Sequence, residues 1–289
     1  MNYAFFPGCK IPYYLQHYGA SSRAVCKALG LELVEVEFNC CGYPVRNLNF
    51  ESFILSAARN LALAGRMGLN ILTPCKCCFG SLKHADHWLR EKRTLRDRIN
   101  RVLNEEGMQW DGGVEITHLL SVLAKDVGLE FLKTKVKHRF EGLRVAVHYG
   151  CHALRPGAIV QFDNPLAPTL FEGLVGITGA QCVEWSRRLD CCGYPLWEKN
   201  NELSLALMRM KLLDAKQAGA LYLLTACTYC QIQFDTVQGA HLIKGDKDLR
   251  LPSILYPQLL GLSLGLPEGS LGLEHNKLDI SGIKRYVPM

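Results

Sequence analysis

Cys40-Cys41-Gly42-Tyr43-Pro44 and Cys191-Cys192-Gly193-Tyr194-Pro195 are the same five residues, 151 positions apart in a chain of 289. Reading outward, Cys9 precedes the first pair and Cys75 and Cys78 follow it. Around the second copy stand Cys151, then Cys227 and Cys230. The offsets between matching cysteines are 142, 151, 152 and 152, so one early insertion accounts for all but one residue of the mismatch. The flanks repeat as well. Tyr3-Ala-Phe-Phe-Pro-Gly-Cys9 matches Val145-Ala-Val-His-Tyr-Gly-Cys151, and Asn70-Ile-Leu-Thr-Pro-Cys75 matches Tyr222-Leu-Leu-Thr-Ala-Cys227. An internal duplication is the economical explanation.

Each half alternates strand and helix signals. Apolar runs at Tyr3–Phe6, Leu31–Val36 and Leu69–Leu72 are separated by helical patterns at Ala20–Leu29 and Phe50–Met67. The second half echoes them with Val145–His148, Cys182–Trp185 and Ala220–Leu224, and with helices near Pro165–Gly179 and Asn201–Gly219. Alternation of this kind predicts an α/β fold of small parallel sheets flanked by helices. The expected division is residues 1–140, including a mostly helical joining segment Lys83–Phe140, and residues 141–289, ending in a C-terminal helix. Cys9, Cys75, Cys151 and Cys227 each fall just after a predicted strand, where open α/β sheets collect their ligands. The two CxxC pairs also lie where a helix begins, with free N–H groups able to face anionic sulfur.

Composition narrows the function. Hydrophobic content of 48% and charged content of 21% are those of a globular protein. The net charge of +6 comes without basic–aromatic interleaving, which argues against nucleic acid. Gly8, Cys9, Lys10 and Pro12 interrupt any signal-peptide core. The longest uncharged stretch, Leu251–Pro267, is too short and too proline-broken to span a membrane, so the expectation is a cytoplasmic protein. Thirteen cysteines in a reducing compartment favour metal ligation over disulfides.

What five thiols can hold is constrained. Zinc takes four ligands in a tetrahedron, which adjacent cysteines serve awkwardly. A cubane [4Fe–4S] cluster likewise takes four and leaves one over. Each set therefore calls for an unusual cluster or a labile fifth ligand.

The doubled pattern resembles the cysteine-rich "CCG" domain of the heterodisulfide reductase B-type subunits and their relatives. Cys78-Phe-Gly-Ser-Leu82, His148-Tyr-Gly-Cys-His152, Gln231–Asp235 and Gln258-Leu-Leu-Gly-Leu262 extend the resemblance over nearly the whole chain. It implies two pseudo-twofold related CCG domains and two noncubane [4Fe–4S] clusters. The first would use Cys9, Cys40, Cys41, Cys75 and Cys78, and the second Cys151, Cys191, Cys192, Cys227 and Cys230. In the family the clusters face each other and split a disulfide, each taking one sulfur, so a catalytic subunit acting on a thiol, persulfide or disulfide is expected. The alternative is an electron-transfer subunit that relays electrons without binding substrate. Gly-Tyr-Pro after both cysteine pairs departs from the methanogen pattern and points to the bacterial, sulfur-metabolising branch. The chain carries no ferredoxin, flavin, nicotinamide or haem motif. The resemblance implies an iron–sulfur partner of the heterodisulfide reductase C type and a flavoprotein of the A type.

His148 and His152 flank Cys151 and are candidate catalytic residues, able to donate to cluster sulfur or protonate a leaving thiolate. Cys26 and Cys182 read as small buried hydrophobes. Cys77 is set aside by the family register, and Lys76 reads as a surface lysine. Tyr43 and Tyr194 are expected to cover the clusters or anchor their loops. The leucine-rich stretch Ile254–Leu266 is the expected docking surface for a partner.

Overall fold

A computed structural model of the chain describes residues 1–242 and 249–286. The expected second domain, 141–289, thus includes 243–248 and 287–289, which lie outside the described residues. Eight short strands form two four-stranded, all-parallel sheets. The first holds β1 (Asn2–Phe5), β2 (Glu32–Glu35), β3 (Asn70–Thr73) and β4 (Ile116–His118) in the order β2-β1-β3-β4. The second holds β5 (Arg144–Val147), β6 (Gln181–Cys182), β7 (Tyr222–Thr225) and β8 (Ser253–Leu255) in the order β6-β5-β7-β8. Even the register repeats: Tyr3 pairs with Asn70 as Val145 pairs with Tyr222. The expected α/β architecture of two small parallel sheets flanked by helices is the one observed.

The fourth strands, β4 and β8, have no counterpart in the sequence pattern. The segment Lys83–Phe140, expected to be mostly helical, contains β4 between its helices. Three residues are too few for a period-two signal, and each strand exists because the neighbouring β3 or β7 offers a free edge. Long helices return from each sheet. Phe50–Arg66 and Asn201–Gln217 are each 17 residues, and each is capped by an asparagine, Asn49 or Asn200, that accepts the N–H three residues on.

The halves join by a reciprocal exchange. The helix Gln16–Ala28, which follows β1, packs on the helix Tyr256–Ser263, which follows β8. In turn, Leu170–Gly176, which precedes β6, packs on the helical segment after β4. Closeness is enforced elsewhere too: a Cβ on Gly80 of the helix Lys76–Glu91 would lie 2.6 Å from the His152 carbonyl oxygen. This arrangement corrects the expectation for Ile254–Leu266. Ile254, Leu255, Leu259 and Leu260 are fully buried, so the leucines of that stretch seal the two halves together instead of facing a partner. Truncating one of them to alanine costs about 2–5 kcal/mol.

Candidate metal centres

Both sheets bring their strand ends, and hence their cysteines, to the junction between the halves. Cys75 and Cys227 are the residues before the helices Lys76–Glu91 and Thr228–Gln231, in extended backbone. Each adjacent pair sits on a loop that turns at its glycine. Gly42 has φ +81° and Gly193 φ +92°, and a Cβ there would stand 2.7 Å from the carbonyl oxygen of Phe53 or Ser204. No other residue fits this left-handed, crowded position.

The first set lines a cleft, with Cys9 and Cys40 Sγ 3.9 Å apart at its mouth and Cys41, Cys75 and Cys78 buried behind. The second lines a cleft with Cys151 and Cys191 half-buried and Cys192, Cys227 and Cys230 buried. All ten predicted cysteines thus gather as two groups of five. The clefts are contiguous, divided by Cys77 and Tyr229, the matched middle residues of the two CxxC loops.

Thiol–thiol hydrogen bonds divide the charge within each group. Cys40 is pushed well below the usual thiol range by its bonds with Cys41 and Cys9, and Cys191 by those with Cys151 and Cys192. Cys227 is lowered by Cys230, Cys75 and Cys77. Those same bonds, with burial, raise Cys9, Cys41 and Cys78 in the first group and Cys151, Cys192 and Cys230 in the second, so negative charge gathers on Cys40 in one and on Cys191 and Cys227 in the other. Cys26 and Cys182 lie away from the clefts, and burial is the main cause that raises each to about 12.

Several neighbours stand elsewhere than the sequence suggests. Lys76 is 1% exposed and crosses between the halves. Its Nζ donates to the carbonyls of His148 and Tyr149 at 3.4 and 3.0 Å and lies over the Phe171 ring. Cys77, set aside as a non-ligand, lies 3.8 Å from Cys227 Sγ and 3.0 Å from His152 Nδ1. Thr228 reaches the other way, its hydroxyl 2.9 Å from Cys75 Sγ. Lys211, which no motif marks, is also 1% exposed; its ammonium donates to Arg187 and Asp190 carbonyls. Burial lowers both lysines to about 8, so both remain charged near neutral pH. Lys76 follows a ligand cysteine at a helix start, but its burial by the other half is not written locally; Lys211 is enclosed within its own half, over the Trp185 ring.

The histidines separate. His152 lines the second cleft and meets the Tyr43 ring edge-on at 4.9 Å. His148 is buried behind Cys192 and Cys230, with a ring nitrogen in a group whose atoms all lie within 4.8 Å of one another. Neither of its nitrogens has a hydrogen-bond partner among the described residues. Burial holds it neutral, with Lys211 and Lys76 adding to the effect. Tyr43 and Tyr194 both pack against Tyr229, with ring centres 5.3 and 4.9 Å from it, and so cover the divide between the clefts.

This donor set fits a soft, anionic metal–sulfur group. Five thiols per cleft exceed what one ion needs, and a buried imidazole without a partner awaits an acceptor such as sulfur. Gly8 and Gly150 line the approach: a Cβ would fall 2.6 Å from Cys78 Sγ in one half and 3.5 Å from Cys230 Sγ in the other.

An α/β chain with paired thiol-rich clefts defines a class of duplicated metal–sulfur redox proteins, and known proteins agree. The cysteine-rich domain family matches twice, over residues 3–83 and 145–235. A heterodisulfide reductase protein of the B-subunit-like kind from Archaeoglobus profundus is 31% identical, covering 94% of each chain. The B subunit of the ferredoxin/F(420)H(2)-dependent CoB-CoM heterodisulfide reductase of Methanosarcina acetivorans is 32% identical over 96% of this chain and 93% of that one. The 8-methylmenaquinol:fumarate reductase membrane anchor subunit of Wolinella succinogenes is 38% identical, over 96% and 97%. A crystal structure of a hypothetical protein from Helicobacter pylori shares the fold, with a TM-score of 0.77 at 17% identity over 96% of this chain and 52% of that one. The chain belongs to the CCG cysteine-rich domain family, in the duplicated form of the heterodisulfide reductase B-type subunits. No helix among the described residues is long and apolar enough to cross a membrane.

Proposed function

We propose that this chain is the iron–sulfur subunit of a multisubunit oxidoreductase and that it handles a thiol or disulfide where its two clefts meet. The carrying observation is the convergence of two groups of five thiols on one junction, where Cys77, beside the first group, lies 3.8 Å from Cys227 of the second. Cys9, Cys40, Cys41, Cys75 and Cys78 would hold one [4Fe–4S] group, and Cys151, Cys191, Cys192, Cys227 and Cys230 the other, both of the noncubane type. Bound there, such groups supply one-electron chemistry and iron that can accept a sulfur ligand.

The chain's own residues do the rest. Tyr43, Tyr194 and Tyr229 exclude water from the divide, while the half-buried Cys40, Cys151 and Cys191 and the exposed Cys9 leave each cleft reachable from outside. His152 shares a hydrogen bond with the Cys77 thiol and gives the second cleft a polar edge at the divide. We place the catalytic part at His152, at the cleft surface, and give His148 a supporting part behind Cys192 and Cys230. Electrons would come from a separate iron–sulfur protein of the heterodisulfide reductase C type fed by a flavoprotein of the A type, the partners that the sequence resemblance implies.

A second reading is favoured by one observation. The Wolinella succinogenes relative belongs by name to a quinol:fumarate reductase, so the same scaffold serves without a disulfide in that name, and here the clefts would only relay electrons. Metal analysis and electron paramagnetic resonance of anaerobically purified protein decide the matter. About eight irons per chain, with both signals altered by an added small thiol or disulfide, support the leading reading. Both signals unchanged by either leaves the relay. Stoichiometric zinc with little iron overturns both.

A further inference from the structure

We infer that the two clefts are built to hold unequal charge, so that the second set, Cys151 to Cys230, keeps an added electron more firmly than the first. This rests on the proposed reading that each set binds an iron–sulfur group.

Matched positions of the duplication carry it. Asn60 and Lys211 stand at the same place on the helices Phe50–Arg66 and Asn201–Gln217, 151 residues apart. Both clamp the loop entering the cysteine pair. The Asn60 amide donates to the carbonyls of Asn39 and Cys40, and the Lys211 ammonium to those of Arg187 and Asp190. A neutral clamp under the first set has become a cationic one under the second. Lys76 and Thr228 are likewise matched, 152 residues apart, and each crosses to the other half. Thr228 lines the first cleft and Lys76 the second. At a third pair, Phe6 of the first half answers to His148, which offers an unpartnered N–H beside Cys192 and Cys230. The second set therefore faces two buried cations and a free imidazole where the first faces an amide, a hydroxyl and a phenyl ring.

Opposing charges do not cancel this. Glu172 is bound to Arg188 at 2.9 Å, and Asp190 to Arg187 at 3.0 Å. The first cleft has Lys10 and Arg46 nearby, but both reach solvent and lie over the rings of Tyr14 and Tyr43, where water screens them. A buried charge acts through a lower dielectric and counts for more. Reduction adds one negative charge, so buried cations and a hydrogen bond to sulfur raise the potential of the set beside them. A one-electron donor gives up one electron, the second set gains it, and the new charge is met by Lys76 and Lys211 without a proton.

The test is a stepwise dithionite titration of anaerobically purified protein, followed by electron paramagnetic resonance. Cys41→Ala and Cys192→Ala identify which signal belongs to which set. In the parent protein the second set should be reduced first. Lys211→Asn and Lys76→Thr, which install the residues that face the first set, should each weaken its hold on the electron about tenfold, about 59 mV for one electron. Lys211→Arg should preserve it, and Asn60→Lys should shift the first set the opposite way. Iron content of each variant shows that the sites are still filled. Reduction of the first set ahead of the second, or simultaneous reduction, overturns the inference, as do unshifted potentials in both lysine variants. Absence of iron from the parent protein instead overturns the proposed function beneath it.

Discussion

The two halves agree in what the backbone needs and differ in what surrounds the thiols. Strand order, the Tyr3–Asn70 and Val145–Tyr222 register, the asparagine caps and the glycine pivots recur in both. These are geometric requirements, and any copy that lost them would lose its site. The residues behind the cysteines have diverged: Phe6 against His148, Asn60 against Lys211, Thr228 against Lys76. Asn60 and Lys211 hold the same loop with different charge, so the choice of residue at such a position is free to set its electrostatics. A duplicated protein thus separates scaffold from tuning by direct internal comparison.

The strongest way to break the comparison is to remove one copy's site. Cys41→Ala and Cys192→Ala should each cut iron content by about half and erase one of two magnetic signals, leaving the other. Loss of both from one substitution would show that the sets are a single unit. A sharper contrast is expected at Gly8 and Gly150. Both have positive φ, +70° and +73°, but only at Gly8 does a new Cβ collide with a thiol. Gly8→Ala should therefore deplete the first set of metal, while Gly150→Ala should cost mainly the backbone strain, about 1–2 kcal/mol, read from the urea midpoint.

Acid should also distinguish the halves. His118 ends β4 where Leu255 ends β8. Neutral His118 can donate from Nε2 to the Pro74 carbonyl and accept the Leu120 N–H at Nδ1, and burial lowers it to about 3. Its unfolded counterpart titrates near 6.5. Between those values the unfolded chain binds a proton that the folded chain refuses, so stability falls as pH drops from about 6.5 towards 3. The slope contributed is at most about 1.4 kcal/mol per pH unit. His118→Leu, the second-half residue, should start less stable at pH 7 yet lose stability less steeply on acidification, as measured by urea unfolding from pH 7 to 4.5. The smallest effect is expected at Cys26. Cys26→Ala should leave iron content unchanged and cost about 1 kcal/mol for a small buried side chain. Loss of iron there would mean the ligand register is wrong.

Much of this was legible in the sequence because duplication prints each requirement twice. The cysteine groups, six of the eight strands and the long helices followed from period and repetition. Strands β4 and β8 were too short to show a period, and much of the rest that stayed hidden depended on the partner half. Lys76 reads as a surface lysine because a helix start is usually solvated; it is buried only because Tyr149 and Phe171 of the other half enclose it. Cys77 looked spare within its own CxxC loop, yet it forms the divide with Tyr229. Ile254–Leu266 looked like an interface, and it is one, but the surface it covers belongs to the same chain.

The reciprocal packing of Gln16–Ala28 on Tyr256–Ser263, and of Leu170–Gly176 on the segment after β4, is the geometry of an isologous dimer written into one polypeptide. In a dimer of identical subunits every residue appears at both centres, and a lysine introduced beside one is introduced beside the other. Fusion of the two copies lifts that obligation. A substitution can then be made on one side alone, and a gradient between two otherwise equal sites becomes heritable.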